Sequence, residues 1–137
     1  MTINTDFCHE NGAEIVVSPS IVSPWLTKYP RARPVSTAAR SGDKGNSANI
    51  AIFARKPEYL PWLRKILPPE TITAQLGHLV TGPTERFEAP GLNALNFLIQ
   101  NALGGGGMAS LRIDPQGKAY AQMVLEMEVK APRSYFI

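Results

Sequence analysis

The sequence predicts an α+β chain: a two-layer sandwich with a largely antiparallel sheet and helices on one face. Three observations carry this. Two strand-like stretches, Val35–Ala39 and Ser47–Ala54, flank a glycine-containing turn. A pair of proline-bounded helical segments follows. The last third alternates apolar and polar residues over a long run after a turn at Asp114–Gly117.

In chain order, residues 1–33 form an N-terminal arm with Pro19, Pro24 and Pro30 among scattered polar residues. Ile15–Val17 adds a short edge strand, and Ile21, Val22, Trp25 and Leu26 anchor the arm. Ser23-Pro24 reads as N-cap and first helical position, giving one turn through Lys28. In Ser47–Ala54, Ala48, Ile50, Ile52 and Ala54 share one face while Asn49, Ala51 and Phe53 share the other, so both faces are largely apolar and the strand is central. The connection to the strand before it is about six residues long.

Pro57–Leu67 carries Leu60, Leu63, Ile66 and Leu67 at helical spacing and is stopped by Pro68-Pro69. A second helix runs from Pro69 to about Gly77. Thr84–Ala89 is a short strand whose prolines at both ends point to an edge strand or a bulge. Gly91–Leu103 is expected as a helix, with Leu92, Leu95, Ile99, Ala102 and Leu103 on its buried stripe and Asn93, Asn96 and Gln100 on a polar one. The amides are either a solvated face or a row of donors near a ligand. Met108–Ile113, the Asp114-Pro115-Gln116-Gly117 turn and Lys118–Lys130 then read as a hairpin. Glu126 and Glu128 fall on its wet face as solvated side chains rather than a catalytic pair. This order can be drawn as an elaborated split βαβ, ferredoxin-like arrangement.

Chemistry concentrates between Arg40 and Asn49. Arg40, Ser41, Gly42, Asp43, Lys44, Gly45, Asn46 and Asn49 place an acid, two bases and two amides around two glycines. Two readings fit: a solvated hairpin tip, or a cradle whose backbone N–H groups, Arg40 and Lys44 converge on an anion. The spacing is neither a Walker A loop nor a dinucleotide-binding glycine motif. Gly104, Gly105, Gly106 and Gly107 imply close approach of another backbone or a ligand, or a flexible linker. After a helix C-terminus they would hold an anion against the dipole, so Gly91 at the helix start is the better anion position. His78 has no companion at metal-ligand spacing, and neither a metal nor a cofactor is expected.

With 137 residues the chain suits one domain. Charged residues are only 18%, low enough to suggest that part of the surface is covered by a second subunit. Of 14 bases and 11 acids, nine bases and five acids precede residue 70, a mild bias toward anionic ligands near the motif. No dense basic stripe interleaved with aromatics points to nucleic acid. The lone Cys8 permits no internal disulfide and suits a reducing compartment. Met1–Asp6 lacks the basic and apolar regions of a signal peptide, and no apolar run approaches a membrane span, so a cytoplasmic protein is expected.

Four blocks occur in order: Ala39–Ile50, Pro90–Phe97, Ala102–Gly107 and Ser110–Lys118. Together they resemble the small ferredoxin-fold domain of the AtuA, or acyclic terpene utilisation, family. The resemblance covers about residues 34–131, leaving the arm at 1–33 and a tail at 132–137. In the family this domain usually follows a much larger N-terminal domain. The resemblance implies a setting in bacterial breakdown of branched acyclic terpenoids and their acyl-CoA intermediates, and it carries over no catalytic residue. Two expectations follow. The first is an accessory or ligand-binding subunit, either a homo-oligomer or partnered by a separate large AtuA-like chain. The second is a small enzyme acting on an acyl-CoA thioester, with Arg40 and Lys44 holding the anionic group and Asp43 as a weak candidate acid or base.

Overall fold

The computed structural model describes residues 14–17, 37–127 and 129–132. In chain order it has β1 (Glu14–Val17), β2 (Thr37–Lys44), β3 (Ser47–Ala54), α1 (Leu60–Ile66), α2 (Pro69–Leu76), β4 (Thr84–Ala89), β5 (Ala94–Ile99), α3 (Tyr120–Leu125) and β6 (Val129–Pro132). Four strands form one antiparallel sheet in the order β2-β3-β5-β4. β1 and β6 form a separate antiparallel pair.

The connectivity explains why this is a ferredoxin-like α+β sandwich. Started at β5 and continued from β2, the same elements run β5, α3, β2, β3, α1 with α2, β4. That is the β-α-β-β-α-β order of the split βαβ fold, entered at a different strand. The β4–β5 hairpin is the joint that the permutation requires. The helices share one face. Trp62 and Leu63 of α1, Ile72 and Leu76 of α2, and Tyr120, Ala121 and Val124 of α3 pack with Ile50, Ile52, Leu95, Phe97 and Ile99 in one core. Phe97 is fully buried in the central strand β5, and truncating it to alanine is expected to cost about 3–5 kcal/mol.

β3 is central as its alternation predicts, and α1, α2 and β4 fall where the prolines place them. Pro61 sits in the first turn of α1, where its missing N–H is harmless. β4 is an edge strand tied to α1 by charge. Arg86 donates through Nη1 to the carbonyls of Arg64 (2.8 Å) and Leu67 (2.9 Å), serving the C-terminal end of that helix. Arg64 grips Glu88 with two hydrogen bonds of 2.8 and 2.7 Å, and this contact holds the Glu88 carboxyl below the ordinary glutamate value.

Three expectations are corrected. Residues 91–103 are not a helix: Pro90–Leu92 is a single 3-10 turn, and β5 follows. Asn93 takes a left-handed conformation (φ 50°) that starts the strand, and its carbonyl accepts from Ala54 N at 2.8 Å. Residues 108–113 form a turn-rich loop rather than a strand. Residues 118–130 are not one long strand but α3 followed by β6. Tyr120, Ala121, Val124 and Met127 are the buried positions, a helical spacing hidden beneath an alternating one.

Two smaller differences concern β2 and β1. β2 extends through the charged motif to Lys44, so the β2–β3 connection is two residues, not six. Gly45 (φ 66°) takes its first central position. The expected strand at 15–17 is present, but it pairs with β6 instead of the main sheet, and Val129 anchors that pair in the core. The expected turn at 23–28, the anchors Ile21, Val22, Trp25 and Leu26, and Glu128 lie outside the described residues; Glu126 is an exposed residue closing α3.

Candidate functional site

Because β2 is a strand through Lys44, the charged motif is divided by the pleat. Thr37, Ala39, Ser41 and Asp43 stand opposite Ala54, Ile52, Ile50 and Ala48, on the helix side. Ala38, Arg40, Gly42 and Lys44 stand on the other side, where no described helix packs. The registers extend this outer face across the sheet. One row is Arg40, Ala51, Asn96 and Phe87; the next is Gly42, Asn49, Leu98 and Glu85.

Gly42 is the centre of the outer-face site. Arg40 and Lys44 flank it two residues away on the same strand face, each about 7 Å distant at the Cα. Asn49 lies directly across from it, and the Asn49 amide Nδ2 donates to Asn96 Oδ1 on the diagonal. The fourth contributor comes from the far end of the chain. Lys118 reaches over the edge of β2 so that its Nζ lies 3.1 Å from where a Gly42 Cβ would stand. Any side chain at 42 would push that ammonium away. Among the described residues, the side chains of Arg40, Lys44 and Lys118 form no ion pair, whereas Arg64 and Lys56 do. Three cations with no ion-pair partner among the described residues therefore surround a patch of bare backbone. Leu98, Phe53 and the half-exposed Phe87 continue the face as an apolar surface.

Two side chains hold Lys118 in place. The Asp114 carboxylate accepts from Lys118 N and Ala119 N, both at 2.9 Å. Ser41 Oγ donates to the Lys118 carbonyl (3.1 Å) and accepts from Ala121 N (2.9 Å). These contacts satisfy N–H groups at the start of α3 that its own turns leave open. Ser41 is thus spent on positioning.

Asn46 and the glycine tract have a similar architectural role. The Asn46 carbonyl accepts from Ala102 N (3.0 Å) and Leu103 N (3.2 Å), its Oδ1 accepts from Gly105 N (2.7 Å), and its Nδ2 donates to Asn101 Oδ1 (3.1 Å). Gly106 lies so close to the hairpin that an added Cβ would stand 2.8 Å from the Gly45 carbonyl oxygen. Of the two readings of the tract that involve close approach, the neighbour is another backbone. The anion argument from a helix dipole falls with the helix at 91–103. Gly91 and Asn93 lie at the β4–β5 turn, at the end of the sheet opposite Gly45 and Gly104–Gly107.

The sequence-derived candidates therefore separate into groups. Arg40, Gly42, Lys44, Asn49 and Asn96 share the outer face. Ser41, Gly45, Asn46 and Gly104 to Gly107 shape the ground around it. Asp43 points to the other side of the sheet, and Gly91 and Asn93 are remote. Lys118, Leu98 and Phe87 are not singled out by the sequence pattern. For Lys118 the available signal is a lysine immediately after a turn glycine, Gly117, whose φ is 61°. Chemically, the outer face offers charge-assisted donors and an apolar shelf, and no nucleophile paired with a base. Among the described residues no group of three His, Cys, Asp or Glu side chains could hold a metal, and no helix is long and apolar enough to cross a membrane.

A family model described as the AtuA ferredoxin-like domain matches residues 35–130. No curated protein and no solved structure matches the chain.

Proposed function

We propose, for a chain that belongs to the AtuA ferredoxin-like domain family, a role as an accessory, ligand-binding subunit that holds an anionic, partly apolar small molecule on its open sheet face. The observation that carries this reading is the placement of Arg40 and Lys44 on either side of Gly42, with the Lys118 ammonium against it, on the same sheet face as Leu98, Phe53 and Phe87. The cations take the phosphate or carboxylate of the ligand, and the Asn49 and Asn96 amides orient it. The apolar shelf takes a hydrocarbon portion. A branched acyl-CoA has both parts, which suits the terpenoid and acyl-CoA setting that the family resemblance implies. A separate large AtuA-like chain would then supply the chemistry, since Asp43 stands on the opposite side of the sheet and Glu85, the carboxylate of the outer face, lies on the far edge strand β4.

Calorimetric titration of the purified chain with coenzyme A, branched acyl-CoAs and the free acids tests the reading. Charge-assisted hydrogen bonds contribute about 1.5–3 kcal/mol, so Arg40→Ala, Lys44→Ala and Lys118→Ala should each weaken binding roughly 10- to 100-fold. Affinity should also fall with added salt. Equal affinity in wild type and the triple variant would overturn the reading. Acyl-CoA turnover by the isolated chain that is lost in Asp43→Asn would favour the enzyme instead.

A further inference from the structure

The loop at 107–113 is explained by neither core packing nor the cradle. Met108, Leu111 and Ile113 are 103%, 102% and 105% exposed, as open to water as in a free peptide. Single exposed apolar residues need no explanation, but three on one short loop do.

The loop is firmly anchored. Ala109 N and Ser110 N both donate to the Gly106 carbonyl, at 3.1 and 2.8 Å, and Gly106 itself is pressed against the β2–β3 tip. Ser110 Oγ accepts from Arg112 N at 3.2 Å. The Arg112 guanidinium turns inward and donates to the carbonyls of Leu79 (2.7 Å) and Ala102 (2.6 Å), with the Tyr120 hydroxyl alongside. The polar side chains of the loop face the body of the domain while its largest apolar ones face water. Such an inversion is a display surface.

We infer that this loop is a self-association surface, on which a second copy of the chain docks loop against loop about a two-fold axis. In such a contact every residue near the axis meets its own twin, so a charge there would face a like charge. The only charged residue of 107–113 is Arg112, and it is the one drawn inward. Gly107 and Ala109 add nothing that repels. Three fully exposed aliphatic residues present on the order of 500 Å² per chain, hence roughly 1,000 Å² for the pair, the lower bound of a specific interface. The dimer is accordingly expected to be weak, with dissociation on the order of micromolar. This inference does not depend on ligand binding at Gly42.

Sedimentation of the full chain from low micromolar to several hundred micromolar concentration is the test. The wild type should move from the 14.9 kDa mass of one chain toward twice that value. Leu111→Ser/Ile113→Ser should stay monomeric throughout, with an unchanged thermal midpoint because both side chains are already in water. Leu92→Ser, at the opposite end of the sheet and 66% exposed, should associate like the wild type. A wild type that stays monomeric overturns the inference, as does a dimer that survives the loop substitutions or is lost equally in Leu92→Ser. A monomer that floats with anionic phospholipid vesicles, and ceases to in the loop variant, would overturn it in favour of a lipid surface.

Discussion

Replacing Gly106 by alanine tests how the cradle is built. The new Cβ would stand 2.8 Å from Gly45 O, 3.0 Å from Gly45 C and 3.3 Å from Asn46 N, all backbone atoms of a two-residue turn that cannot move independently. The residue also has a φ of 92°, which side chains rarely adopt. Positive φ costs roughly 1–2 kcal/mol for a non-glycine residue, and a forced backbone shift in a packed region roughly 1–3 kcal/mol. The sum, about 2–5 kcal/mol, is a large share of a typical 5–15 kcal/mol domain stability. Two controls separate the terms. Gly45→Ala has a φ of 66° but nothing within 4 Å, so it should show the conformational cost alone. Gly107→Ala meets nothing nearer than the Gln116 side chain at 3.6 Å and should be nearly neutral. Urea denaturation of the three variants gives the ranking. If Gly106→Ala is no less stable than Gly45→Ala, the tract does not clasp the hairpin and the glycines need another explanation.

Arg112→Ala removes the donor to two carbonyls, those of Leu79 and Ala102, and should destabilise by about 2–3 kcal/mol in the same assay. Asn46→Ala removes the side-chain contacts to Gly105 N and Asn101 and should cost about 1 kcal/mol, less because that region is exposed. The Glu88 carboxyl is held below its ordinary value of 4.5 by the Arg64 hydrogen bond. Its contribution is therefore present above the unfolded value and is lost as pH falls through the folded one. The stability difference between wild type and Glu88→Gln should be seen at neutral pH and vanish in acid, and a difference that grows in acid would contradict the assignment.

The strands and helices with clean punctuation were legible from residues alone. Alternation marks β3, and prolines bound α1, α2 and β4. β5 was not legible, for a physical reason. Its helix side, Leu95, Phe97 and Ile99, is deeply buried, but Ala94 and Leu98 fill alternate positions with apolar residues and blur the alternation, while Leu92, Leu95 and Ile99 happen to fall at helical spacing. In α3 the error ran the other way. Small alanines at 119 and 121 with Met123 and Leu125 imitate alternation, while the buried set Tyr120, Ala121, Val124 and Met127 has helical spacing. The stretch 108–113 reads as a strand because it leads into the turn signal at Asp114–Gly117 with Leu111 and Ile113 two residues apart, yet these side chains are exposed and the segment pairs with no strand.

Part of the candidate site was legible too. Arg40, Gly42 and Lys44 stand out as a charged glycine motif, but their common face becomes visible only once β2 is known to be a strand. That same step turns Asp43 away. In the sequence Asn96 reads as one of a row of amides with Asn93 and Gln100, and the strand brings it to Asn49 instead. Lys118 depends on α3 docking beside β2, a contact between residues far apart in sequence. Local pattern carries no trace of it.

The most direct measurement is an amide-resolved NMR titration of the chain with a branched acyl-CoA, in the wild type and in Gly42→Val. The account predicts saturable shifts on 40–44, 47–51, 96–98 and 118, and their loss in Gly42→Val with the rest of the spectrum intact. A valine there fills the bare patch and displaces Lys118, whose flexible end is all that its Cβ meets within 4 Å. Shifts centred on 91–93, or undiminished binding in Gly42→Val, would contradict the central claim.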